Sequence, residues 1–140
     1  MLDSFLLGDT EFGIDRSKLK LSFLSDGGGR VEVNISISGD EGAFEHLTND
    51  EDGPWSWALY PPVFHLAAFR ISQELAVAAL PITIPERAPD FEIALYMMEY
   101  CEIRDVVLQR VEEGLLIQGR VDVFGEEKPL RLQVANAFAG

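Results

Sequence analysis

The chain has 140 residues, 47% of them hydrophobic, and carries 24 Asp and Glu against 11 Lys and Arg, a formal net charge of −13. That apolar fraction excludes the disordered class, in which too little surface is buried to offset chain entropy, and the length suits a single domain over 1–140. The charge disfavours nucleic acid and anionic membranes as partners, since both are held through Lys and Arg; it would attract a basic protein, and it also serves solubility alone.

Residues 1–10 hold Asp3 and Asp9, no basic residue and an apolar run of only Phe5, Leu6 and Leu7, which is not the pattern of a signal peptide. No run reaches the roughly 18 apolar residues that span a bilayer, because Arg70, Gln73 and Glu74 interrupt the best candidate. A cytoplasmic location is expected.

From Lys18 to Leu24 the spacing puts Leu19, Leu21 and Phe23 on one face and Lys18, Lys20 and Ser22 on the other, the period of a half-buried strand. Ser25, Asp26 and three glycines make a turn. Val31, Val33, Ile35 and Ile37 then alternate with Arg30, Glu32, Asn34 and Ser36, which completes an antiparallel hairpin. Residues 39–54 are too rich in Gly, Asp, Glu and Asn to contribute much core, and read as a long surface connection with room for a helical turn at Ala43–Leu47. Trp55, Trp57 and Leu59 alternate with Ser56 and Ala58, which predicts a strand reaching Tyr60 before Pro61 and Pro62.

Residues 63–80 fit two periods, and the expectation is a strand to about Ile71 followed by weak helix or turn from Ser72 to Ala79. Pro81, Pro85 and Pro89 exclude a regular helix from 82 to 90. Phe91, Ile93, Leu95 and Met97 alternate with Glu92, Ala94, Tyr96 and Met98, as a strand does, although the run also tolerates a helix up to Tyr100. Further strands are expected over 106–111 and 115–123, the latter with Ile117, Gly119, Val121 and Val123 inward. A turn at Gly125–Lys128 and a returning strand over 130–134 complete a second hairpin. About seven to eight strands in all predict a mainly β fold, an antiparallel sandwich or open barrel with at most one or two short helices.

Catalytic material is scarce. A Ser-His-acid triad would have to use His46 or His65; His46 stands among Glu45, Thr48 and Asp50 and reads as solvated, while His65 between Phe64 and Leu66 reads as a semi-buried strand residue. No Gly-x-Ser-x-Gly elbow occurs. One cysteine and two distant histidines cannot make a zinc site. Calcium would accept the oxygens of residues 40–52, but Asn49-Asp50-Glu51-Asp52-Gly53 lacks the alternation of an EF-hand, so a plain solvated loop is expected. Cys101 has no partner for an internal disulfide, and its neighbours Glu99, Glu102 and Asp105 work against a thiolate nucleophile, which leaves a buried structural thiol.

Trp55 and Trp57, two apart and near Tyr60, suit core packing first; otherwise they suit a sugar-stacking platform or the anchor of a protein interface. The expectation is therefore a non-enzymatic acidic module that binds a basic protein, with no cofactor and no metal, in the manner of bacterial immunity proteins that neutralise a toxin. The residues assigned to the partner are Asp40, Glu41, Glu45, Asp50, Glu51, Asp52, Trp55, Trp57 and Tyr60. The alternative is a β-module that binds carbohydrate or a small ligand on the aromatic platform.

Overall fold

The computed structural model describes residues 2–25, 27–49, 51–53, 55, 58–72, 82–85, 91–97, 100–112 and 114–137. The strands are β1 (Ser4–Leu7), β2 (Thr10–Glu11), β3 (Lys20–Ser25), β4 (Arg30–Ser38), β5 (Val63–Ser72), β6 (Ile82–Thr83), β7 (Glu92–Tyr96), β8 (Tyr100–Cys101), β9 (Ile103–Val111), β10 (Gly114–Val123) and β11 (Glu126–Val134). Among the described residues, one helix, α1 (Glu41–Thr48), and a 3-10 turn at Arg16–Lys18 join them. All pairings are antiparallel and form two sheets, β2-β1-β11-β10-β9-β6 and β3-β4-β5-β7-β8, the arrangement of a β-sandwich.

Alternation explains the layering. Val31, Val33, Ile35 and Ile37 of β4 are buried, and their partners on β5 are Ile71, Phe69, Leu66 and Phe64, buried too. In the other sheet, Leu115, Ile117, Val121 and Val123 of β10 and Leu130, Leu132 and Val134 of β11 turn inward, with Phe5 and Leu7 of β1 beside them. These residues make one continuous cluster. Each fully buried side chain of this size contributes roughly 1.5–3 kcal/mol of transfer free energy before chain entropy is counted.

Two irregularities bend the ladders. Asn34 of β4 faces two residues of β5, and the extra one, Ala68, takes φ 62° while its N–H donates to Asn34 Oδ1 at 2.9 Å. The β9–β10 register shifts across Gly119, where an added Cβ would meet Val106 Cγ2 at 3.1 Å and the Arg104 carbonyl oxygen at 3.2 Å.

Both expected hairpins are present, β3–β4 and β10–β11, and 63–80 begins as a strand that runs to Ser72, against an expected end at about Ile71; of the span 72–79, where helix or turn was expected, residues 73–79 lie outside the described residues. Among the described residues, eight strands have four or more residues, and the other three are two-residue pairings. Three expectations are corrected. The described residues of 55–60, which are Trp55 and 58–60, are not in a strand: Trp55 lies in a turn, and the Ala58 N–H donates to its carbonyl at 3.1 Å. Prolines at 54, 61 and 62 withdraw three backbone donors there, so a ladder would be incomplete. The turn expected at 125–128 is shorter and earlier, with Val123 paired to Glu126 across Phe124 and Gly125. The third is Cys101, which is half-buried and packed against the core, not fully enclosed.

Candidate functional site

Helix α1 forms where Asp40 caps it, its carboxylate accepting the Ala43 N–H at 3.0 Å, and where Glu41 in the first turn complements the helix dipole. The Asp40 N–H donates to the Phe12 carbonyl at 3.1 Å and that of Gly39 to the Pro62 carbonyl at 2.9 Å, which fixes the helix start against β-sandwich and connection alike. Phe44 is the buried anchor, with Leu47 packed beside it. The rest of α1 faces solvent: Glu41 and Glu45 are exposed four residues apart, a like-charge spacing that costs a helix about 0.2–0.5 kcal/mol. Lys18 Nζ lies 3.2 Å from Glu41, an exposed pair of small worth.

Beyond α1, Glu51 and Asp52 are exposed, and Asp50 and Trp57 lie outside the described residues. Trp55 is 3% exposed and belongs to the core. Its Nε1–H donates to Thr10 Oγ1 at 2.7 Å, its ring meets Phe12 edge-on at 5.3 Å, and Lys128 Nζ stands 5.6 Å from the ring centroid. The indole is therefore unavailable to stack on a ligand, as the core-packing reading expected. The residues that follow are the opposite: Leu59 is 67% exposed and Tyr60 58%. What the fold gathers is thus an acidic stretch with an exposed apolar rim, held in place by an aromatic that points inward.

The histidines sit elsewhere. His46 is exposed on α1. His65 on β5 is cross-strand to Ser36, and its Nε2 lies 3.7 Å from Glu92, with side-chain exposures of 43% and 81%. Ser36 and His65 share a trough of about 460 Å³ whose lining comes entirely from Leu19 and strands β3, β4 and β5. The trough is therefore on the outer face of one sheet. No hydrogen bond joins the Ser36 hydroxyl to the imidazole, and the carboxylate is too solvated to orient it, so the relay that activates a nucleophile is not assembled. Among the described residues, no group of three or more His, Cys, Asp or Glu could hold a metal ion, and no helix is long and apolar enough to cross a membrane.

Comparison with protein-family models, with curated proteins and with solved structures gives no match. Leu59 was not among the residues that sequence reasoning assigned to a partner; its exposure follows from the turn that replaces the expected strand.

Proposed function

We propose that the chain is a non-enzymatic protein-binding module, a cytoplasmic immunity-type inhibitor whose acidic connection receives a basic toxin or enzyme. The observation that supports this is the composition of residues 39–62: six acids, no Lys or Arg, every described acid exposed, and Leu59 and Tyr60 exposed at the end of the same stretch. Such a field raises the rate of encounter with a basic surface, and an apolar contact inside the charged rim then slows release. Asp40 serves mainly to cap α1, so Glu41, Glu45, Asp50, Glu51 and Asp52 carry the attraction.

The test is co-purification with the tagged chain at low and high salt, followed by kinetics on the purified partner. A basic protein should be recovered, and its recovery should fall as salt rises. Reversal of Asp50, Glu51 and Asp52 to Lys should slow association far more than it speeds dissociation. A partner bound equally at all salt concentrations, or recovery of acidic proteins only, contradicts the proposal.

A further inference from the structure

The trough on the outer face of β3, β4 and β5 has a volume of about 460 Å³, within the range of small-molecule pockets. Two cross-strand rows build it. Lys20, Ser36 and His65 stand in register on the three strands; in the next row Ser22 faces Asn34, with Ala67 beyond it across the bulge. Neighbouring strands lie about 4.8 Å apart, so Lys20 and His65 are held two strand spacings from each other with the short Ser36 between them. Ser22 and Ala67 are short as well, and the depression is the space that longer side chains on this face would fill. Ser22, Asn34, Ser36, His65 and Ala67 are half-buried although they face outward. Asn34 is committed to the bulge, accepting the Ala68 N–H at 2.9 Å and donating to Glu32 at 3.2 Å.

The lining reverses the charge character of the chain. It includes Lys20 and His65 and no Asp or Glu, on a protein with 24 acids. Arg16, Lys18, Arg104, Arg120 and Lys128 each pair with a carboxylate, whereas among the described residues Lys20 pairs with none. The Ser22 and Ser36 hydroxyls have no hydrogen-bond partner among the described residues either. Of the neighbouring acids, Glu32 receives the Asn34 amide, and Glu92 is 81% exposed with an oxygen 3.7 Å from His65 Nε2. We propose that the trough binds a small molecule with one carboxylate and an apolar body. The carboxylate lies over Ser36, paired with the Lys20 ammonium and accepting from the Ser36 hydroxyl, a charge-assisted bond being about twice as strong as a neutral one. The apolar body rests along Ala67 and the Lys20 methylenes, since most of the lining surface is carbon. A phosphate dianion is a poorer occupant, because one Lys and a largely apolar lining leave its further oxygens without donors. None of residues 39–62 takes part, so the site stands or falls independently of the reading under Proposed function.

The experiment titrates the full chain with benzoate and with hexanoate as probes, and with benzamide as the neutral counterpart of benzoate, followed by backbone amide NMR shifts. Saturable shifts should centre on residues 20–22, 34–36 and 65–67, and the Kd of benzoate should be about 10-fold or more below that of benzamide. Lys20→Gln keeps a long polar side chain at an exposed strand position, so its melting temperature should match the parent's while benzoate affinity falls about 10-fold or more, to the level of benzamide. Ser36→Val fills the floor with a strand-favouring side chain and should weaken benzoate and benzamide alike. Unchanged benzoate affinity in Lys20→Gln overturns the site, as does benzamide bound as tightly as benzoate. Shifts that do not saturate, or that saturate only at other residues with both carboxylates, overturn it too.

Discussion

The β9–β11 ladder and the 39–62 connection handle charge in opposite ways. Residues 103–134 carry five bases against six acids, and the ladder sets them side by side: Arg104 and Arg120 both reach Glu127, at 2.8 and 3.2 Å, and Arg120 lies 3.7 Å from Asp105. Residues 39–62 carry six acids and no Lys or Arg. Nearly half of the net charge of −13 therefore comes from a segment that contributes only Phe44, Trp55 and Ala58 to the buried core, among its described apolar residues. Charge spread for solubility would have no reason to concentrate there; charge that steers a partner would.

The sharpest way to break this comparison is to remove what ties the connection to the sandwich. Trp55→Ala deletes a buried aromatic and leaves the Thr10 hydroxyl without its indole donor, and should cost about 3–5 kcal/mol in urea unfolding. Leu59→Ala and Tyr60→Ala should stay within about 0.5 kcal/mol of the parent. Equal losses in all three would mean that the rim is part of the core. A smaller effect is expected at the β5 bulge. Asn34→Ala strands the Ala68 N–H and should cost about 1–3 kcal/mol. Ala68→Gly should gain up to about 1 kcal/mol, because relief of the left-handed backbone exceeds glycine's entropy.

Within the ladder, Glu127→Gln removes the carboxylate that Arg104 and Arg120 share and leaves Arg120 with Asp105, and all three paired side chains are about half exposed. The loss should be at most about 1 kcal/mol and should shrink with added salt. A loss of several kcal/mol would show that the paired region, too, depends on its charges. The smallest effect concerns Asp15, whose carboxyl is held below its ordinary value of 3.8 chiefly by the Ser17 hydroxyl, which outweighs the opposing effect of desolvation, with smaller help from the Ser17 N–H and Lys18. A depressed folded-state value means that the contribution is complete above 3.8 and fades as pH falls through the folded value. Asp15→Asn should therefore be slightly less stable than the parent at neutral pH and converge with it in acid, as read by thermal melts across pH.

Much of the fold was legible because burial imposes a period of two on β3, β4, β10 and β11. Strand β1 was not, since Ser4–Leu7 offers only two inward positions, Phe5 and Leu7, too few to establish a period. The stretch at 55–60 misled for the converse reason: aromatic and small residues alternate there, but the prolines around them prevent a ladder. The acids of the site could be read directly, as solvated charge needs no tertiary context. The status of Trp55 could not, because only the approach of Phe12 and Thr10 decides that the indole is inside.

The central claim is that the concentrated acidity of residues 39–62 steers a basic partner. Its most direct test is the association rate of the purified partner, followed by stopped flow from low to physiological salt, for the parent and for the variant with Asp50, Glu51 and Asp52 reversed to Lys. The parent rate should fall steeply with salt, and the variant should start slower and respond weakly. Identical rates and identical salt dependence in the two proteins would contradict the account.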